Sequence, residues 1–120
     1  MRVRYSLRAY QRFPVKCSLH YMGPEFLGEG IARNVSRMGW RVEGDSPVQA
    51  GTVLTASLLP PGQSVPIKVD QAIVRWSKGR TFGIRVLTMK AEEAARLNHL
   101  IMTLVQQHLG NSPIPHALPG

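Results

Sequence analysis

Carboxylates are scarce in this 120-residue chain: seven Asp and Glu stand against fifteen Lys and Arg, a formal charge of +8. No acidic pair recommends itself as a general acid and base, and the imbalance points to an anionic partner: a nucleotide, a nucleic acid or a membrane surface. Cysteine is nearly absent. The single Cys17 excludes an intramolecular disulfide and, alternating with apolar neighbours, reads as a buried thiol. Aromatic residues make up only 7%. Tyr5, Tyr10 and Trp40 lie among the basic residues, but no aromatic cluster falls on one strand face, as a barrel binding RNA or single-stranded DNA would show. No apolar run reaches the roughly 18 residues of a membrane span. Arg2, Arg4, Arg8 and Arg12 interrupt any secretory h-region, so the expected compartment is the cytoplasm. His20, His99, His108 and His116 are scattered without metal-ligand spacing, and no Ser/His/Asp or Cys/His grouping stands out. The chain reads as a non-enzyme with no metal and no cofactor.

What is present is strand alternation. A flexible basic arm is expected over residues 1–13. From residue 14 the chain turns periodic, with Val15, Cys17, Leu19 and Tyr21 on one face of a strand that ends at Gly23-Pro24. Further strands are expected from about Gly28 to Ser36, over Trp40–Glu43, over Thr52–Leu59, over Val65–Trp76 and over Thr81–Leu87. The inward phase of the fifth changes near Asp70, from Ile67 and Val69 to Ala72, Val74 and Trp76, which predicts a bulge. The connection Arg37-Met38-Gly39 is short, and its glycine can supply the positive φ of a tight turn or bulge. The period then changes. Leu97, Leu100, Ile101, Leu104 and Val105 form the apolar stripe of a helix from about Ala91 to Leu109, with Glu92 and Glu93 in its first turn. This helix is expected to close the barrel, or to offer part of its stripe to a second copy as a homodimer. Residues 110–120, rich in proline and glycine, read as a disordered tail. The fold class is mainly β: one domain over residues 14–109, a small antiparallel six-stranded barrel with a C-terminal helix.

Two spaced patterns carry chemistry. One is Arg8-Ala9-Tyr10-Gln11-Arg12, a pair of arginines four apart. The other is Asn34-Val35-Ser36-Arg37-Met38-Gly39. Arginine offers a bidentate fork, a permanent charge and a plane that stacks on bases, and in an extended arm the two could lie about 13 Å apart. On a strand Asn34 and Ser36 would leave the same face, an amide beside a hydroxyl able to read the polar edge of a base. In order and spacing these residues resemble the PilZ domain family. So do Arg12-Phe13-Pro14-Val15 at the first strand, and Ala72-Ile73-Val74-Arg75-Trp76 followed by Phe82-Gly83-Ile84-Arg85-Val86 at the last pair. The likeness runs from about Arg8 to Val105.

That resemblance implies a receptor for the bacterial second messenger cyclic di-GMP. Arg8 and Arg12 would contact guanine and phosphate, Asn34 and Ser36 would hold a guanine edge, and Gly39 would shape the turn. Arg37, Arg33 and Trp76 are further candidate contacts, Arg37 equally readable as a solvated turn residue and Trp76 as core or rim packing. Arg75 and Arg85 read as solvated barrel surface. The arm would order on the ligand and so alter contacts with an unidentified downstream protein. Two other readings stand beside this one: a small basic barrel for RNA or single-stranded DNA, and a ligand-free PilZ adaptor working through protein contacts.

Overall fold

The computed structural model describes residues 12–110. Six antiparallel strands close into a barrel in the order β1-β2-β3-β6-β5-β4: β1 (Phe13–Gly23), β2 (Phe26–Val35), β3 (Gly39–Gly44), β4 (Val53–Leu59), β5 (Ile67–Lys78) and β6 (Thr81–Thr88). One helix, α1 (Ala91–Gly110), follows. The expected fold class is the one found. Residues 1–11 and 111–120, the bulk of the expected arm and the tail, lie outside the described residues. Among the described residues no helix is long and apolar enough to cross a membrane.

Alternation builds the interior. Cys17, Leu19 and Tyr21 of β1, Trp40 and Val42 of β3, and Phe82 and Ile84 of β6 are buried, while the residues between them on these strands mostly face outward. Phe13, assigned by sequence to the arm, is also core: it opens β1 opposite Val35 and is buried. The bulge expected near Asp70 is present. Against β4, Ala56 pairs with Val69 and Leu54 with Ala72, so β5 carries one extra residue there, which shifts the inward set from Ile67 and Val69 to Ala72 and Val74.

The helix contributes Leu97, Leu100 and Ile101 to the same core, and packs against β1 and β5. Two side chains tie it to β5 and the loop before it. Arg96 donates to the carbonyls of Val65 and Pro66 and to Gln63 Oε1, and Glu93 Oε1 accepts the backbone N–H of Lys68 at 2.8 Å.

Candidate functional site

The register decides which side chains share the outer wall. Val35, Trp40 and Ile84 form one inward row across β2, β3 and β6. The next row faces out: Asn34 opposite Arg41, Arg41 opposite Gly83, and Gly83 opposite Trp76 on β5. On the other side of the inward row, Gly39 stands opposite Arg85. Sequence alternation had placed Trp76 inward with Ala72 and Val74. A second bulge on β5 overturns this. Val74 pairs with Ile84 and Trp76 with Gly83, leaving Arg75 as the extra residue, and both Arg75 and Trp76 are exposed.

Gly83 and Gly39 make this wall shallow. A Cβ on Gly83 would run into the indole of Trp76, which therefore lies flat over the β6 backbone. A Cβ on Gly39 would sit 2.7 Å from the Ile84 carbonyl oxygen and 3.3 Å from Arg12 Nη2. Gly39 was expected to serve a positive φ. The positive-φ glycines among the described residues are Gly51, Gly62 and Gly79, so Gly39 is needed instead for close approach, of β6 on one side and of a guanidinium on the other.

Ser36 was expected beside Asn34 on a strand. It lies one residue beyond the end of β2 and is buried in the β2–β3 connection. Its hydroxyl donates to the Gly39 carbonyl at 2.9 Å and accepts the N–H groups of Met38 (3.2 Å) and Gly39 (3.0 Å). One donor and two acceptor positions are thus filled within the turn. Trp40 Nε1 donates to the Ser36 carbonyl at 3.1 Å and anchors the same turn in the core. Asn34 differs. It is half-buried, and its Oδ1 is enclosed with no hydrogen-bond partner among the described residues. A buried acceptor left unmade costs about 1–3 kcal/mol, which a donor from outside would offset.

Beside the turn lies a recess of about 240 Å³, lined by Arg12, Gly39, Arg75, Trp76, Gly83 and Arg85 with parts of the turn; Asn34 stands on the neighbouring strand, outside this lining. Three arginines and no carboxylate-bearing residue line it. The other candidate arginines fall elsewhere. Arg33 is drawn to Glu43, with Nε 3.8 Å from its carboxylate, and Arg37 is exposed on the turn outside the lining. Arg8 lies outside the described residues. A second cavity, of about 290 Å³, opens beside β1, β2 and β4 between Met22 and Leu27, and carries Glu29 and Asp45. Its charge disfavours an anion. Sequence reasoning passed over Arg75 and Arg85, because outward alternation alone looks the same for a solvated residue and for one that lines a site.

The match to known proteins agrees with the architecture. A family model of the PilZ domain matches residues 6–103, and the chain belongs to that family, whose domains serve in general as cyclic di-GMP receptors or adaptors. Among solved structures, the Bacillus subtilis inhibitor of motility MotI/DgrA aligns with a TM-score of 0.62 at 17% identity, over 83% of this chain and 50% of that one. The PilZ domain of CeSA from a cellulose-synthesizing bacterium aligns at 0.62 and 11% identity, over 78% of this chain and 97% of that one. At such identities the likeness is one of fold, and the chain spans half the length of the MotI/DgrA structure. No curated protein matches it by sequence.

Proposed function

We propose that the recess is a cyclic di-GMP site and that this chain is a non-catalytic receptor in the cytoplasm, passing the signal on by altered contacts with another protein. One observation carries the reading. Arg12 and Gly39, which belong to two motifs far apart in sequence, line the same recess, with the Arg12 guanidinium close over the Gly39 backbone, and the neighbouring strand β2 carries Asn34 Oδ1, enclosed and without a partner among the described residues.

The ligand presents two guanines and two phosphodiesters. Arg12 suits the O6/N7 edge of guanine or a phosphate, in either case through a charge-assisted fork. Asn34 Oδ1 suits the N–H donors on the opposite edge of the base. The Trp76 indole offers a face for stacking. Ser36 acts from beneath by holding the turn, and Gly39 keeps the backbone low enough for the base to approach. A recess of this size seats only part of a dinucleotide, so residues 1–11 with Arg8 complete the enclosure, and their closure over the ligand remakes the surface a partner meets.

Titration calorimetry with cyclic di-GMP tests the reading. The wild-type chain binds with micromolar or better affinity. Arg12→Ala weakens binding by about 10- to 100-fold or more while its melting temperature holds. An Arg12→Ala protein of unchanged affinity would refute the site. Binding to mixed RNA or single-stranded DNA that collapses steeply with added salt, with no preference for the cyclic dinucleotide, would favour the nucleic-acid barrel instead.

A further inference from the structure

We infer that Arg85, assisted by Arg75, binds a phosphodiester of the ligand from outside both motifs, while Arg12 and Asn34 read its bases; this rests on the recess being the cyclic dinucleotide site proposed above. The register supplies the position. Arg85 stands opposite Gly39, so nothing but backbone separates it from the space where the Arg12 guanidinium rests. The bulge at Arg75 brings a further guanidinium to the rim and turns the Trp76 indole onto the same face.

Pairing supplies the second argument. The ion pairs found among the described residues are His20–Glu29, Arg33–Glu43 and Arg96–Glu93. None involves Arg12, Arg75 or Arg85, and no carboxylate lines the recess that all three share. Arginines that share one recess with no counter-charge among the described residues repel one another, and a bound anion lessens that repulsion.

Spacing assigns the anion. The indole of Trp76, the group in the recess suited to stack on a base, lies over Gly83 in one outward row. Arg85 and Gly39 lie in the next, about 6–7 Å along the strands, the scale that separates a base from the phosphate on its own ribose. Phosphate contacts position a ligand and do not read its base, so Arg85 governs affinity and leaves guanine preference alone.

The test is calorimetry at low and high salt with cyclic di-GMP and with the mixed cyclic guanine–adenine dinucleotide, on wild type, Arg12→Ala, Arg75→Ala, Arg85→Ala and Arg85→Lys. Arg85→Ala should lose about 10- to 100-fold in affinity for both ligands, keep the wild-type ratio between them, and respond less to salt. Arg85→Lys, which keeps charge without the fork, should fall between, and Arg75→Ala should lose less. Because both residues are exposed, melting temperatures matching wild type will show that the variants fold. If Arg12→Ala weakens binding but Arg85→Ala does not, or if Arg85→Ala changes the base preference and spares affinity, this assignment falls and the site stands. If wild type binds no cyclic di-GMP, both fall together.

Discussion

Arg96 and Arg85 are the same residue put to opposite uses. At the helix, Arg96 spends its donors on two backbone carbonyls and a side-chain amide, with Glu93 at 3.7 Å. At the recess, Arg85 and its neighbours Arg12 and Arg75 face no acid. A guanidinium whose donors are filled from within is a staple. One that shares a cavity with others, with no ion pair among the described residues, is free to meet an anion under the function proposed above. On that proposal the contrast separates a structural arginine from a binding one in a chain where basic residues are plentiful.

Trp40 joins the two kinds of region, so its loss has the largest expected effect. It is fully buried in the barrel, and its indole N–H holds the Ser36 carbonyl of the turn that frames the recess. Trp40→Ala should cost about 3–5 kcal/mol of unfolding free energy in urea and abolish ligand binding as well. Trp40→Phe should restore most of the stability and little of the binding. A Trp40→Phe protein that binds normally would show that the turn needs no help from the core.

The core also titrates where the wall does not depend on it. Burial pushes the Cys17 thiol up to about 11 from 9.0. A raised folded-state value means that the unfolded chain gives up its proton first. The stabilisation is therefore complete below pH 9 and is lost as pH rises toward 11, by about 2–3 kcal/mol. Burial raises Tyr21 too, helped by the nearby Asp45 carboxylate, and this adds to the decline. Chemical denaturation across that range should show the fall, and Cys17→Ala should flatten it at the expense of a small cavity. An identical pH profile in Cys17→Ala would place the titration elsewhere.

The staple itself comes next. Arg96→Ala should lower stability by about 1–2 kcal/mol, discounted because the side chain is partly exposed. Its affinity for cyclic di-GMP should be that of wild type. Arg12→Ala should do the reverse and change unfolding by less than about 0.5 kcal/mol. If both variants lose both properties, the distinction between filled and free guanidiniums has no energetic content.

Much of this was legible in the chain. Period-two alternation and breakers such as Pro60-Pro61-Gly62 mark all six strands, and the phase change at Asp70 identifies one bulge. Motif spacing singles out Arg12, Asn34 and Gly39; Arg12 and Gly39 line one recess, and Asn34 stands on the neighbouring strand outside its lining. What failed to show depends on cross-strand register, which no single strand encodes. The bulge at Arg75 reverses Trp76. The bulge at Arg33 sets that arginine beside Glu43, outside the lining of the recess. Ser36 looked like a strand residue because whether a polar side chain caps a turn or faces outward depends on where pairing stops.

Gly83 tests the shape of the wall with the least damage to the fold. It sits on β6 between inward Phe82 and Ile84, and its missing side chain is what allows the Trp76 indole to lie down. Gly83→Ala would place a methyl group in contact with that ring. The ring belongs to an exposed side chain, so it can swing outward at little cost to stability, within about 1 kcal/mol. The swing removes a stacking face from the recess, a contact of about 1–3 kcal/mol. Affinity for cyclic di-GMP should therefore fall by about 5- to 100-fold, with Trp76 fluorescence shifted to the red as the indole meets water. Trp76→Ala should weaken binding to the same degree and, combined with Gly83→Ala, should add nothing further. An additive double variant would mean that the glycine acts on the ligand directly and that the indole merely covers the strand.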